Sequence, residues 1–342
     1  MMTIQLSFLE RLLHRFHLLP TPIMDSFGGI IFGRVLTIAV RRELFEALAT
    51  GGRTVIQLAD VTGLNEKAIR LMADSFVAGG YLTRSEDVYI LSGEGKKWLI
   101  KSSPAYIGNL VAYFETLYAR WEHFEYSLEH GRPERAYFDG FTDNDWKVYV
   151  YGMADLARLL LNEVGPKLAL HDPKSLLDIG GSHGLYAMEC CRRYPSIQAT
   201  IMDFAPALQH ACEIAAAEKM SGQINFLEGD FKNNRLPPNQ DCVLLFNIVH
   251  GFDEKENQKL IERTHEALTP GGKLFILDQM KSSKQASGLA AFVPLMVGLN
   301  LLNEIGGNVY DMAEVKRWCG SFSSVQIYKL RLPGVILVEA VK

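Results

Sequence analysis

The sequence has few cysteines and little excess charge of either sign. Its 342 residues include five cysteines, and no two of them form a C-x-x-C pair: Cys190, Cys191, Cys212, Cys242 and Cys319. This spacing disfavours a disulfide framework or a zinc site and indicates free thiols in a reducing compartment. The net charge of −4 provides no general attraction for nucleic acid or for an anionic membrane surface.

Uncharged runs long enough to cross a membrane are also lacking. The longest run, from Ala286 to Leu302, is shorter than the ~20 residues of a membrane span, and Pro294 and Asn300 interrupt it. Glu10 and Arg15 break up the apolar N-terminus, and no small-residue cleavage site follows them. We therefore expect a cytoplasmic protein, not bound to membranes, whose N-terminus is an amphipathic arm that packs against another surface.

The hydrophobic fraction of 48% and the charged fraction of 22% are typical of a soluble globular protein, and the length favours more than one domain. The pattern changes near residue 174, from helical periodicity to short apolar runs that alternate with helices, which is typical of a parallel α/β sheet. The predicted organisation is an arm and winged-helix domain over 1–100, a helical segment over 101–173, and a Rossmann-like α/β domain over 174–342.

The winged-helix prediction depends on residues 54–92, which are predicted to form helix, turn, helix and a two-stranded hairpin. Such modules often bind DNA. The second helix carries Lys67 and Arg70 but also Glu66 and Asp74, so it has no basic stripe. We expect this domain to dimerise or act as a scaffold, and a DNA-binding regulator is kept as an alternative.

A glycine-rich loop after the first strand of the α/β domain is the strongest functional motif. It contains Gly180, Gly181 and Gly184, which allow backbone N–H groups to approach a ligand closely. Asp178, just before the loop, would repel a pyrophosphate but suits the cationic sulfonium and ammonium groups of S-adenosylmethionine. The loop therefore predicts an S-adenosylmethionine site, and His183 within it is expected to be exposed.

Polar residues also end the following strands, and ligands of open α/β sheets bind at these carboxyl ends. Asp203 is predicted to accept hydrogen bonds from the ribose hydroxyls. Asp230 is predicted to accept one from the adenine amino group, while Phe231 covers the ring. Asn247, at the end of the fourth strand, is assigned to the same cofactor site. His250 and Asp278 end the fourth and fifth strands.

Aromatic residues are concentrated between 101 and 170, where they form either interdomain core or a wall for an aromatic substrate. Trp121, Met153 and Asn300 are the candidate residues of this substrate pocket. We infer no metal site, because no cluster of histidine and acidic residues has ligand spacing.

The D-x-G-G-x-x-G loop, the Gly229-Asp230-Phe231 tripeptide, the P-G-G at 270–272 and a closing hairpin occur together over nearly the whole chain. In these features the sequence resembles the S-adenosylmethionine-dependent O-methyltransferases of the plant caffeate and hydroxyindole type and their bacterial relatives. The resemblance implies a seven-stranded sheet with an antiparallel last strand, and a homodimer formed through the N-terminal domain. It also implies S-adenosylhomocysteine as the product and a position for Met153 near the reacting methyl group.

The resemblance assigns His250 as the general base that removes a proton from a substrate hydroxyl, with Asp278 as the acid that orients it. Two family positions differ here, because Gly251 and Val309 replace acidic residues. The predicted function is methyl transfer to a hydroxyl of a hydrophobic, aromatic small molecule. Two alternatives remain: N- or C-methylation or non-methylating chemistry on the same fold, and a DNA-binding regulator that senses S-adenosylmethionine. The sequence does not identify the acceptor.

Overall fold

The computed structural model describes residues 7–281 and 287–342, so Ala286 of the longest uncharged run lies outside it. The chain divides into two compact units, Met1–Leu117 and Tyr118–Lys342. The predicted segment 101–173 is thus divided between the two units.

The first unit is mostly helical. Its helices are α1 (Phe8–Arg15), α2 (Thr21–Ile23), a π-helical turn (Met24–Gly28), α3 (Gly29–Arg41), a 3-10 turn (Glu46–Leu48), α4 (Val55–Thr62), α5 (Glu66–Ala78), α6 (Gly93–Leu99) and α7 (Gly108–Tyr113). Its strands are β1 (Arg53–Thr54), β2 (Leu82–Ser85) and β3 (Val88–Leu91), in the order β1-β3-β2 and all antiparallel.

The helix–turn–helix and hairpin predicted over 54–92 are observed, with β1 as an additional strand. Gly63 ends α4 in the left-handed region at φ 67°, and the Asn65 side chain accepts a hydrogen bond from the Lys67 N–H at the start of α5. Phe45 and Phe76 are buried, with ring centroids 4.9 Å apart, in the core beneath these elements.

Several apolar residues before α4 are exposed. Four of them, here called the N-terminal apolar residues, are Phe8, Phe16, Phe27 and Ile30. Their side chains are 79%, 62%, 67% and 65% exposed, respectively. Within the described residues, one helical stretch, Thr21–Arg41, has the length and apolar composition of a membrane span, and only 11% of it is buried. Its apolar surface is therefore available for contact with another molecule or a lipid surface.

The second unit contains the large sheet and the remaining helices. Its strands are β4 (Ser175–Ile179), β5 (Gln198–Asp203), β6 (Ile224–Glu228), β7 (Gln240–Phe246), β8 (Leu268–Lys281), β9 (Tyr310–Asp311), β10 (Ser324–Lys329) and β11 (Val335–Val341). The helices, of which the first straddles the boundary, are α8 (Glu115–Trp121), α9 (Phe124–His130), α10 (Asp143–Val164), α11 (Leu185–Arg193), α12 (Ala205–Ala217), α13 (Glu254–Ala267), α14 (Leu289–Ile305) and α15 (Met312–Trp318). Two 3-10 turns cover Gly165–Lys167 and Val249–Gly251.

Seven strands form one hydrogen-bonded path in the order β10-β11-β8-β7-β4-β5-β6. The strands β4 to β8 pair in parallel, and β11 is antiparallel to β8, as the resemblance implied. The predicted count of seven is one too low for the described residues, because the two-residue β9 also pairs with β8.

Both faces of the sheet are buried, which explains the nearly continuous apolar runs of its central strands. Leu176, Leu244 and Leu277 belong to the core on one face. Leu177 and Ile276 belong to the core on the other face. The functional residues are consequently confined to the strand ends.

The five cysteines are free thiols, and all except Cys212 are buried. Burial raises the pKa of Cys191 to about 11 and that of Cys319 to about 12. These two side chains are therefore apolar core groups at neutral pH, not nucleophiles.

Candidate active site

The glycine-rich loop between β4 and α11 turns through three left-handed residues. Gly180, Ser182 and Gly184 have φ angles of 63°, 43° and 68°. A Cβ atom at Gly181 would lie 2.6 Å from Cγ of Asp178, so only glycine fits over that carboxyl group. Ser182 is held in its unusual conformation because its N–H donates to Asp203 Oδ2 at 2.8 Å.

His183 is buried, and the expectation that it would be exposed is wrong. Its Nδ1 accepts a hydrogen bond from the Leu185 N–H at 3.0 Å, which caps the first turn of α11. Burial, with a smaller effect of Arg158, lowers the pKa of His183 to about 3. A neutral ring is what this cap requires, since a protonated Nδ1 could not accept.

Two carboxyl groups beside the loop have raised pKa values. Burial, reinforced by Asp203, raises the pKa of Asp178 to about 8. Burial raises the pKa of Asp203 to about 6, although N–H groups of Phe204 and Ser182 donate to it and partly offset that effect. Both groups would be stabilised as carboxylates by a cation or by further hydrogen-bond donors.

Asp230 and Phe231 lie just beyond β6, next to the loop. The ring of Phe231 would be 3.5 Å from a Cβ atom at Gly180, so the two residues are close neighbours. Asp230 is half-buried, and its Oδ1 accepts from the Lys232 N–H at 2.9 Å. Asn247 follows β7 with a φ of 56°, and its N–H donates to Leu277 O at 2.7 Å.

His250 and Asp278 form a close pair. His250 Nδ1 is 2.7 Å from Asp278 Oδ1, and the His250 backbone N–H donates to Asp278 Oδ2 at 3.2 Å. The side chain of Asp278 is 1% exposed, whereas that of His250 is 17% exposed. The carboxyl group therefore holds both the ring and the backbone of a histidine whose side chain remains partly exposed.

Two of the three candidate pocket residues contact one another. Trp121 Nε1 donates to Asn300 Oδ1 at 3.1 Å, and Asn300 Nδ2 donates to Glu304 Oε2 at 2.8 Å. Glu304 is buried. Tyr149 lies near Glu304 and Asp203, and burial with these two acids raises its pKa. Met153 is half-buried on α10, the same helix as Tyr149.

Gly251 and Val309 stand where the resemblance implies acids. A Cβ atom at Gly251 would lie 3.3 Å from Cδ1 of Ile305, and the Asn308 N–H donates to His250 O at 2.8 Å. Val309 is buried and, with Gly298, lines a cavity of about 700 Å³ that Phe252, Leu299 and Tyr310 also help to line. Asp278 is thus the acid paired with the histidine in the described residues.

Within those described residues, no three histidine, cysteine or acidic side chains are grouped as metal ligands. The polar groups at the strand ends are carboxylates, which accept hydrogen bonds, and backbone amides, which donate them. This set of groups fits the hydroxyl, amino and cationic groups of S-adenosylmethionine.

Comparison with known proteins defines the class as a mixed α/β methyltransferase fold. The human N-acetylserotonin methyltransferase structure, a complex with S-adenosylmethionine, superposes with a TM-score of 0.83 at 21% identity over 99% of each chain. The family model for the O-methyltransferase domain matches residues 115–321, which is more than half of the chain. The protein therefore belongs to the O-methyltransferase family and is a methyltransferase with S-adenosylmethionine as its cofactor.

Two bacterial relatives match almost end to end. The 3-hydroxy-5-methyl-1-naphthoate 3-O-methyltransferase of Streptomyces sahachiroi is 25% identical, over 92% of this chain and 93% of its own length. The tetracenomycin polyketide synthesis 8-O-methyl transferase of Streptomyces glaucescens is 29% identical, over 93% of this chain and 96% of its own. These matches do not favour the alternative function of a DNA-binding regulator, which the predicted winged-helix domain had suggested.

The raised pKa of Asp178 predicts a specific pH dependence of stability. The folded chain holds a proton that the unfolded chain releases near pH 4, so this group destabilises the fold progressively as the pH rises from about 4 to about 8. Between pH 5 and pH 8 the melting temperature of Asp178→Asn should fall less than that of the ligand-free wild type. Calorimetry at several pH values measures this, with exposed Asp139→Asn as the control, and parallel curves for Asp178→Asn and wild type would refute it.

Proposed function

We propose that this enzyme transfers the methyl group of S-adenosylmethionine to a hydroxyl of a hydrophobic, aromatic small molecule, with His250 as the general base. The observation that carries the proposal is the His250–Asp278 pair, 2.7 Å apart, at the same edge of the sheet as the glycine-rich loop. A general base at that edge can remove the proton that an acceptor must lose when it is methylated, as a hydroxyl does.

The cofactor site consists of the strand-end residues. Asp178 and the backbone of Gly180, Gly181 and Gly184 receive the methionine end, and Asp203 accepts from the ribose. Asp230 accepts from the adenine amino group, Phe231 covers the ring, and Asn247 completes the site. When bound, S-adenosylmethionine supplies an electrophilic methyl group on a sulfonium, and release of that methyl leaves S-adenosylhomocysteine.

Asp278 determines the tautomer of His250. Its buried carboxyl group accepts a hydrogen bond from Nδ1–H, and the lone pair on Nε2 is then free to take the proton of a substrate hydroxyl. The second hydrogen bond, from the His250 backbone N–H, fixes the ring relative to the strand end. Such base assistance contributes typically 10²–10⁴ in rate.

The acceptor is proposed to bind near Trp121, Met153 and Asn300. The Trp121–Asn300–Glu304 chain of hydrogen bonds combines an aromatic surface with a polar end, which suits an aromatic ring that carries hydroxyl groups. The names of the two bacterial relatives, one acting on a naphthoate and one in polyketide synthesis, support the same substrate class.

The N-terminal unit is proposed to be a winged-helix dimerisation domain of a cytoplasmic homodimer. On α5, the second helix of the helix–turn–helix, Asp74 is paired with Arg84 at 3.2 Å and accepts from the Tyr89 hydroxyl at 2.6 Å. This helix therefore contributes acidic groups, which do not suit DNA. The exposed N-terminal apolar residues supply the surface that a second copy of the chain would cover.

Replacement of the base should separate binding from chemistry. His250→Ala is expected to bind S-adenosylhomocysteine with nearly wild-type affinity while methyl transfer to phenolic acceptors falls by about 10²–10⁴. Titration calorimetry and a radiolabelled methyl-transfer assay measure the two quantities. Equal loss of affinity and turnover would assign His250 to the support of the cofactor site, and full activity would remove it from the mechanism.

Asp278→Asn tests how the base is oriented. The amide NH₂ would donate to Nδ1 and stabilise the wrong tautomer, so turnover should fall by about 10² or more while cofactor affinity is kept. Moving the assay to higher pH should restore little of the loss, because the tautomer and not the protonation state is altered. Recovery of activity at high pH would contradict this role.

The dimer proposal predicts the effect of charges on the apolar surface. The double variant Phe27→Glu/Ile30→Glu is expected to be a monomer in multi-angle light scattering, whereas wild type is a dimer. Leu71→Glu, at a site of similar exposure (65%) on α5, is the control and should remain dimeric. A monomeric wild type, or wild type that floats with lipid vesicles, would contradict the proposal.

A further inference from the structure

The segment that follows β6 is a single tight turn, residues 230–234. The N–H groups of Asn233 and Asn234 donate to Asp230 O at 3.0 and 2.7 Å. The Asp230 side chain caps the same turn, because its carboxylate accepts from the Lys232 N–H and from Asn233 Nδ2. Asn234 Oδ1 in turn accepts from the Asp230 N–H at 2.7 Å.

Such a turn resembles the end of a helix, where the last carbonyl groups have no partner within the turn. Arg263, on α13, supplies partners for three of them. Its Nη1 donates to Phe231 O at 2.7 Å and to Lys232 O at 3.0 Å, and its Nη2 donates to Asn234 O. One guanidinium group thus binds the backbone of most of the turn.

We propose that Arg263 is the positioning residue for the adenine end of the cofactor site, an inference that rests on the roles proposed above for Asp230 and Phe231. Arg263 does not need to contact the cofactor. It fixes the turn whose first residue presents the carboxylate and whose second presents the ring, so that both are already placed when adenine arrives.

The chemistry of arginine suits this role better than that of lysine. A planar guanidinium presents several N–H donors in a fixed arrangement, whereas an ammonium group is a single point on a flexible chain. The other cations beside the turn have different surroundings. Lys232 faces Glu256 at 3.5 Å and lies over the Phe252 ring at 4.2 Å. Lys259 is exposed on α13 and lines the same cavity as Arg263.

The test compares two ligands of the whole protein by titration calorimetry. S-adenosylhomocysteine carries the adenine amino group, and S-inosylhomocysteine carries an oxygen in its place, which the Asp230 carboxylate would repel. Wild type should therefore prefer S-adenosylhomocysteine. Arg263→Met should bind S-adenosylhomocysteine about 10- to 100-fold more weakly than wild type does. The ratio of its affinities for S-adenosylhomocysteine and S-inosylhomocysteine should also be smaller than that of wild type. Arg263→Lys should fall between wild type and Arg263→Met.

Lys259→Met is the matched control, because it removes the same charge from the same helix and cavity. It should leave both affinities and their ratio unchanged. If Arg263→Met does not fold, Arg263→Lys carries the comparison. If Arg263→Met loses affinity for both ligands by the same factor, Arg263 has only a structural role and the proposal is overturned. Binding of both ligands by Arg263→Met with wild-type affinity would overturn it as well.

Asp230→Asn separates this inference from the proposed function. If Asp230→Asn abolishes the preference for S-adenosylhomocysteine while Arg263→Met retains it, only the positioning role of Arg263 fails. If Asp230→Asn itself retains the preference, Asp230 does not bind the adenine amino group, and the assignment on which the inference rests is wrong.

Discussion

The parallel pairing of β4 with β5 on one side and with β7 on the other is the constraint on which the site depends. It sets Asp178 opposite Ile201 and Leu244, so the carboxyl ends of the three strands lie at one edge. Because both faces of the sheet are buried, the polar groups of these strands are concentrated at this edge. The separate motifs of the sequence become one site through this pairing.

The carboxyl groups at this edge favour a ligand that carries cationic groups and hydrogen-bond donors. Burial disfavours the charged form of both Asp178 and Asp203, and Asp203 adds to that effect at Asp178. A glycine-rich loop with this arrangement is poorly suited to phosphate, which would add further negative charge. The same features that reduce the stability of the folded chain at neutral pH therefore favour S-adenosylmethionine over a dinucleotide.

Much of the fold could be predicted from the sequence, because its signals are local. The run of apolar residues in β4, the glycines that follow it and the acid before them all act within a few residues of one another. The helix–turn–helix of the first unit was predictable for the same reason, since Gly63 ends one helix through its left-handed backbone and Asn65 begins the next through its side chain. The alternation of strand and helix then determines a parallel sheet.

What could not be predicted depends on contacts between distant parts of the chain. Arg263 is an ordinary cation on a helix in the sequence, and only the fold brings it to the carbonyl groups of residues 231–234. The burial of His183 is not evident from its neighbours in sequence, because only the fold brings α10, which carries Arg158, close to it. The link from Trp121 through Asn300 to Glu304 joins helices that the sequence separates widely.

Gly251 and Val309 stand at two positions where the resemblance implies acids. Val309 is buried, and in the described part of the chain the acid paired with His250 is Asp278. Asp278 lies within hydrogen-bond distance of both the ring and the backbone N–H of His250, and its own position is fixed because Oδ1 also accepts from the Gln279 N–H at 2.8 Å. The position of the His250 ring therefore depends on β8, which pairs with β7 on one side and with β11 on the other.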